Sequence, residues 1–134
     1  MTDVFVGRLM SSPVVSVSPE TAVTTAADRL LDRDISSVVV TDEENELVGI
    51  LTTTDFVRMI ADEAVTAETT VANYMTTNVV TVTANDSVDA VAETMVQRGF
   101  HHLPVVDDDS GVIGMVTTTD VTAYVSHLKS PPTV

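Results

Sequence analysis

With 134 residues, 44% apolar and 19% charged, the chain is long enough to bury a core and too apolar for a disordered tail, and scarce aromatics make that core aliphatic. Twenty acidic residues against six basic ones give a formal net charge of −14, which repels phosphate backbones and argues against nucleic acid and anionic membrane surfaces as partners. No cysteine is present, so disulfides, thiolate metal sites and thiol nucleophiles are excluded.

In chain order, the first segment is a lead-in, Val4–Met10 (VFVGRLM), preceded by Met1-Thr2-Asp3, which lacks the basic start of a signal peptide. The β-branched run Pro13–Ser18 (PVVSVS) predicts a strand. Ala22, Val23, Ala26, Ala27, Leu30 and Leu31 then recur at helical spacing, predicting an amphipathic helix with Ser18 as its cap. Ser37–Thr41 (SVVVT) and Leu47–Leu51 (LVGIL), joined by the polar turn Asp42–Glu46, predict a hairpin. Thr52-Thr53-Thr54-Asp55 follows at once and opens a second helix carrying Phe56, Val57, Met59 and Ile60.

The same order then returns. Residues 10–60 laid over 75–125 without a gap share 14 identities in 51 pairs, more than Val and Thr richness alone would yield, so the chain is a tandem duplication. Asn78–Thr83 predicts the strand, Val88, Val91, Ala92, Met95 and Val96 the helix with Asp86 as cap, and Leu103–Asp107 and Val112–Val116 the hairpin. Thr117-Thr118-Thr119-Asp120 opens the last helix, with Val121, Tyr124 and Val125. The expected fold is α/β, in the α+β sense: two β-α-β-β-α repeats packed about a pseudo-twofold axis. The expected limits are 1–62 for the first repeat with its lead-in, 63–74 for a linker with a short helix at Val71, Tyr74 and Met75, 75–128 for the second repeat, and 129–134 for a frayed tail.

Several constellations carry candidate chemistry. In each TTTD, Thr and Asp stand three apart as in a capping box, worth about 1 kcal/mol. The same helix N-terminus offers N–H donors to a phosphate, and the carboxylate can accept from a ribose diol. His101-His102 stands where the first copy has Ser36-Ser37. Adjacent residues at a strand start point to opposite faces, so one histidine is expected half-buried and the other exposed. A metal site is not expected there, since no third ligand lies at a telling spacing. Asp107–Gly111 (DDDSG) is a polar turn rather than a calcium loop, because the twelfth position is Thr118. Gly49 and Gly114 lie inside strands and predict close backbone approach. No catalytic constellation is found, and the expectation is that the protein is not an enzyme.

The repeat, the β-α-β-β-α order, HHLPVVD (His101–Asp107) and the two G-x-x-T-x-x-D stretches together closely resemble a tandem pair of CBS domains, a Bateman module. The resemblance covers nearly the whole chain and implies a stand-alone CBS-pair protein. It implies a regulatory sensor binding an adenosine-containing ligand (AMP, ADP, ATP, NAD or S-adenosylmethionine) in clefts between the repeats, with no required cofactor. It also implies a homodimer that signals through its geometry to a separate regulated protein. A ligand-free dimerisation scaffold is the competing expectation.

By resemblance, the aspartates hold the ribose, the threonines ribose or phosphate, and the histidines the phosphates, with His102 in place of a more usual arginine. One cleft would join Val15, Ile35 and Ser36 around the adenine to His101, His102, Thr117, Thr119 and Asp120. The other would join Val80, Phe100 and His101 to Ser36, Ser37, Thr52, Thr54 and Asp55. The first is expected to be the better site, because it holds the histidines. Its affinity should rise below about pH 6.5, where imidazole charges.

No apolar run approaches the roughly 20 residues of a membrane span, so a cytoplasmic location is expected. One lysine, Lys129, amid abundant Asp, Glu, Thr, Val and Ala resembles proteins of salt-loving archaea, and salt should then stabilise the chain by screening its self-repulsion.

Overall fold

The hairpin Ser37–Thr41 (β2) and Leu47–Thr52 (β3) forms the centre of the first repeat, pairing antiparallel with Ser37 opposite Thr52 and Val40 opposite Gly49. Strand β1, Ser16–Val17, adds to β2 in parallel, giving the order β1-β2-β3. Two helices, Val23–Arg33 (α1) and Thr53–Asp62 (α2), complete this repeat. These elements come from a computed structural model that describes residues 4–63 and 65–129; the end of the expected tail, 130–134, lies outside the described residues.

The second repeat repeats the plan with helix Val88–Arg98 (α3), strands His102–Asp107 (β4) and Gly111–Thr117 (β5), and helix Thr118–Lys129 (α4). Its first strand is shorter than the sequence predicts. Of Asn78–Thr83, Val82 alone bridges, in parallel to Val105. The corresponding run in the first repeat keeps just the two residues of β1.

The expected caps Ser18 and Asp86 do not cap helices. Each closes a four-residue turn ahead of its helix: the Ser18 N–H donates to Thr21 Oγ1 at 3.1 Å, and the Thr83 N–H donates to Asp86 Oδ2 at 2.9 Å. At α3 the cap is Ser87, whose hydroxyl accepts from the Ala90 N–H at 3.1 Å. At α1 it is Ala22, which has no side-chain acceptor, and the Val23 N–H finds the Thr69 carbonyl at 3.1 Å instead.

That last bond belongs to a systematic exchange. The stretch around Val71, a 3-10 turn over Val71–Asn73, packs with Val17, Val23, Ala26, Leu30, Val38, Val40, Leu51 and Met59 in the first core. The lead-in turn Val6–Arg8 packs elsewhere, its Val6 joining Val82, Val91, Met95, Leu103, Val105 and Val116 in the second core. The two cores use matching positions of the duplication, each completed by the segment that precedes the other repeat in the chain. Accordingly, residues 4–13 cluster with 80–109 and 113–129. Residues 14–63 and 65–79 form the other unit, joined by residues 110–112, where Asn45 donates to the Ser110 and Val112 carbonyls at 2.8 and 2.9 Å.

The exchanged segments explain both strand glycines. Thr76 and Ile50 exchange backbone hydrogen bonds at 2.9 and 3.0 Å, and a Cβ on Gly49 would stand 2.8 Å from the Thr76 carbonyl oxygen. Ser11 and Met115 make the same exchange in the second unit, where a Cβ on Gly114 would stand 2.6 Å from Met10 Sδ and 3.0 Å from the Ser11 carbonyl oxygen. Close approach, expected from the sequence, is the reason for glycine at both places.

Candidate functional site

In each repeat the candidate residues gather at one end of the hairpin. The antiparallel register sets Ser37 against Thr52, and the Thr53 N–H donates to the Ser36 carbonyl at 3.0 Å. In the second repeat the Thr118 N–H donates to the His101 carbonyl at 3.0 Å. The strand entrance and the helix entrance are therefore held together by backbone, and their side chains share one edge.

On the first-repeat edge, Thr52 is the N-cap of α2 and forms a capping box with Asp55. Asp55 Oδ2 accepts from the Thr52 N–H at 2.8 Å and its hydroxyl at 3.3 Å. Its other oxygen, Oδ1, accepts from Arg58 Nη1 at 3.0 Å, one turn along the helix. Asp55 is 3% exposed, although the Arg58 side chain is 58% exposed. Ser37 is buried, while Ser36, Ile35 and Thr54 are exposed and Val15 is half-buried against the core.

The second-repeat edge has the same cap and a different load. Asp120 Oδ2 accepts from the Thr117 N–H at 2.9 Å and its hydroxyl at 3.2 Å, and the Asp120 N–H donates back to Thr117 Oγ1 at 3.3 Å. Oδ1 of Asp120 meets no donor among the described residues, the carboxylate is half-buried, and the position matching Arg58 is Ala123. An acceptor with an open lone pair, beside a hydroxyl and a helix N-terminus, can take a hydroxyl donor from a ligand.

His101 is exposed and His102 half-buried, the alternation expected at a strand start. Burial, with the neighbouring His101 adding to it, pushes the His102 imidazole below the ordinary histidine range. The expected gain in affinity below about pH 6.5 is therefore displaced, for His102, to more acid conditions: loss of water penalises the charged ring. Thr119 is exposed, and Val80 and Phe100 are half-buried against the second core.

Arg58, which meets Asp55 on this edge, is not among the site residues expected from the sequence. Its signal was present, since Asp-Phe-Val-Arg places opposite charges one helical turn apart where the second copy reads Asp-Val-Thr-Ala.

A duplicated β-α-β-β-α plan, with the second copy's first strand reduced to the bridge at Val82 and a threonine-capped helix leaving each hairpin, defines the class of paired α+β repeats to which the CBS domain gives its name. The CBS domain is matched twice, over residues 6–62 and 71–127, and the chain belongs to that family. It is similar to the uncharacterized protein MK0525 of Methanopyrus kandleri, 31% identical over 122 residues that take in 90% of this chain and 62% of that one. Among solved structures, the CBS domain pair of protein MJ0100 in complex with 5′-methylthioadenosine and S-adenosyl-L-methionine has a TM-score of 0.88 at 30% identity, covering 96% of this chain and 100% of that one. The structure of CBSX2 in complex with AMP has a TM-score of 0.84 at 25% identity, covering 95% and 99%. The mixed α and β fold is that of these solved CBS pairs.

Proposed function

We propose that this chain is a non-enzymatic regulatory module that binds an adenosine-containing ligand. The observation that carries the reading is the Asp120 carboxylate, which accepts from Thr117 through one oxygen and meets no donor at the other among the described residues, on the edge that also holds His101 and His102. The adenosyl ligands of MJ0100 and the AMP of CBSX2 support the ligand class. Asp120 would accept from the ribose hydroxyls, Thr117 and Thr119 from or to ribose or phosphate, and His101 and His102 would meet the phosphates. Val15, Ile35 and Ser36 of the first repeat would surround the adenine. The reciprocal assignment of Val80, Phe100 and His101 with Ser36, Ser37, Thr52, Thr54 and Asp55 is the weaker half of the proposal.

Ligand occupancy would reach a separate regulated protein through a homodimer whose geometry the ligand biases, which requires the ligand to prefer one arrangement. Leu31, Val57, Ile60 and Val96, each at least 67% exposed, give the helices apolar faces suited to such pairing. Among the described residues no helix is long and apolar enough to cross a membrane, and a cytoplasmic location is part of the proposal. A halophilic archaeal source rests on composition alone; relatives from Methanopyrus kandleri, Acidianus ambivalens and Methanocaldococcus jannaschii add nothing to it.

Thermal unfolding at high salt with AMP, ADP, ATP, NAD and S-adenosylmethionine tests the reading. At least one should raise the transition, and no response from any at millimolar concentration rejects it. The competing scaffold is favoured by one fact: both Thr-x-x-Asp caps are already satisfied without a ligand. Under that reading no nucleotide would respond.

A further inference from the structure

We infer that Arg58 keeps the first repeat's ribose carboxylate closed, so that each chain offers one working ligand site, and that removing the guanidinium opens a second. This rests on the adenosyl-ligand reading above. A ribose diol is held when a carboxylate accepts from adjacent hydroxyls, which needs lone pairs not already taken. Asp55 has at most one of its roughly four acceptor sites left, where a diol needs two: Oδ2 serves the Thr52 N–H and hydroxyl, Oδ1 serves Arg58 at 3.0 Å, and the residue is 3% exposed. For a ligand to enter, it would first have to displace a charged donor from a carboxylate shielded from water.

Asp120 differs in what its second oxygen meets. Its cap geometry matches that of Asp55 within 0.1 Å, 2.9 against 2.8 Å to the threonine N–H and 3.2 against 3.3 Å to the hydroxyl. Yet Ala123 replaces the arginine, Oδ1 meets no donor among the described residues and the carboxylate is partly exposed. The duplication thus supplies an internal comparison, in which the cap is constant while the arginine, the burial of the carboxylate and the Ser36-Ser37 or His101-His102 pair differ; of these the arginine alone touches the carboxylate's second oxygen. Arg58 is a positioning residue on this view: it acts on the ligand by occupying Asp55. Its own side chain is more than half exposed, so the pair adds little to folding, and its removal leaves the cap and the core in place.

Equilibrium dialysis of the whole protein with AMP, and in parallel with adenosine, reads the number of ligands per chain. The wild type should hold one of either. Arg58→Ala should hold two, Arg58→Lys should stay at one because an ammonium can still pair with Asp55, and the double variant Arg58→Ala/Asp55→Asn should return to one. A thermal melt of each variant confirms that it is folded. If Arg58→Ala remains at one site while folded, the inference is wrong and the proposed function stands. If it loses AMP while keeping adenosine, Arg58 is a phosphate ligand and the inference is likewise overturned. Should the wild type and every variant bind neither probe, the adenosyl reading itself fails and takes the inference with it.

Discussion

Replacing Asp120 by alanine should separate folding from ligand binding. The side chain contributes one cap: its Oδ2 takes the Thr117 N–H at 2.9 Å and the hydroxyl at 3.2 Å. Both donors sit on a half-buried residue and can turn to water after the change, so no buried group is left unpaired. The loss is then that of an N-terminal cap, about 1 kcal/mol, which for a chain of this length lowers Tm by roughly 4 °C. Binding responds on a different scale, since a ligand at about 100 times its Kd adds about 2.7 kcal/mol to the wild type and should add nothing to Asp120→Ala.

Scanning calorimetry with and without AMP gives both quantities. Ser87→Ala is the matched control: it removes a side-chain cap of similar worth from α3, where the hydroxyl accepts from the Ala90 N–H at 3.1 Å, and should keep the full ligand response. A ligand-induced shift that survives in Asp120→Ala, or a ligand-free loss above about 3 kcal/mol, would show that the residue has been assigned the wrong task.

Other expectations concern the fold and pH. Gly49→Ala should lower stability by about 1–3 kcal/mol in urea unfolding, because its Cβ would press on the Thr76 carbonyl oxygen at 2.8 Å and Met75 Sδ at 2.9 Å; an unchanged midpoint would mean the segment around Thr76 yields freely. Leu51→Ala, at a residue with no exposed surface, should cost about 2–5 kcal/mol by the same measurement, and less than about 1 would refute a tight first core. His102 is held below the ordinary histidine range by burial, then by His101, so the unfolded chain takes up its proton first. Stability from this group is complete above the unfolded histidine pKa and falls as pH drops through it toward the folded value. His102→Asn should flatten the acid side of a Tm-against-pH curve, and an identical curve for both proteins would contradict the assignment.

Local pattern made much of this architecture legible. The helical spacing of Val23, Ala26 and Leu30, the hairpin around Asp42–Glu46, and the TTTD helix starts are decided within a dozen residues, and periodicity reports on that range. The misread caps failed at the same range for a different reason: Ser18 and Asp86 have the right chemistry, but a turn comes between strand and helix, and its hydrogen bonds take them first. The exchange of Val6 and Val71 was beyond reach, because either core accepts a valine at that place and sequence spacing does not say which. At the site, the likeness of the two TTTD stretches hid their difference. It lies three residues further on, in a guanidinium that the second copy lacks.

The exchange has a consequence for where the chain can be cut. A cut between residues 79 and 80 does not release two autonomous halves, since the fragment from residue 80 onward leaves behind Val6, a 1% exposed member of its own core. The fragment 14–79, by contrast, carries Val71, Tyr74 and Met75 and takes its core away whole apart from the Asn45 contacts to residues 110–112. For the second repeat to live alone, residues 4–13 would have to be re-attached ahead of residue 80. The duplication is thus visible as two copies on paper, but as a piece of matter it is interlaced, and an insertion or deletion in the lead-in is paid in the stability of the distant repeat rather than of its neighbour.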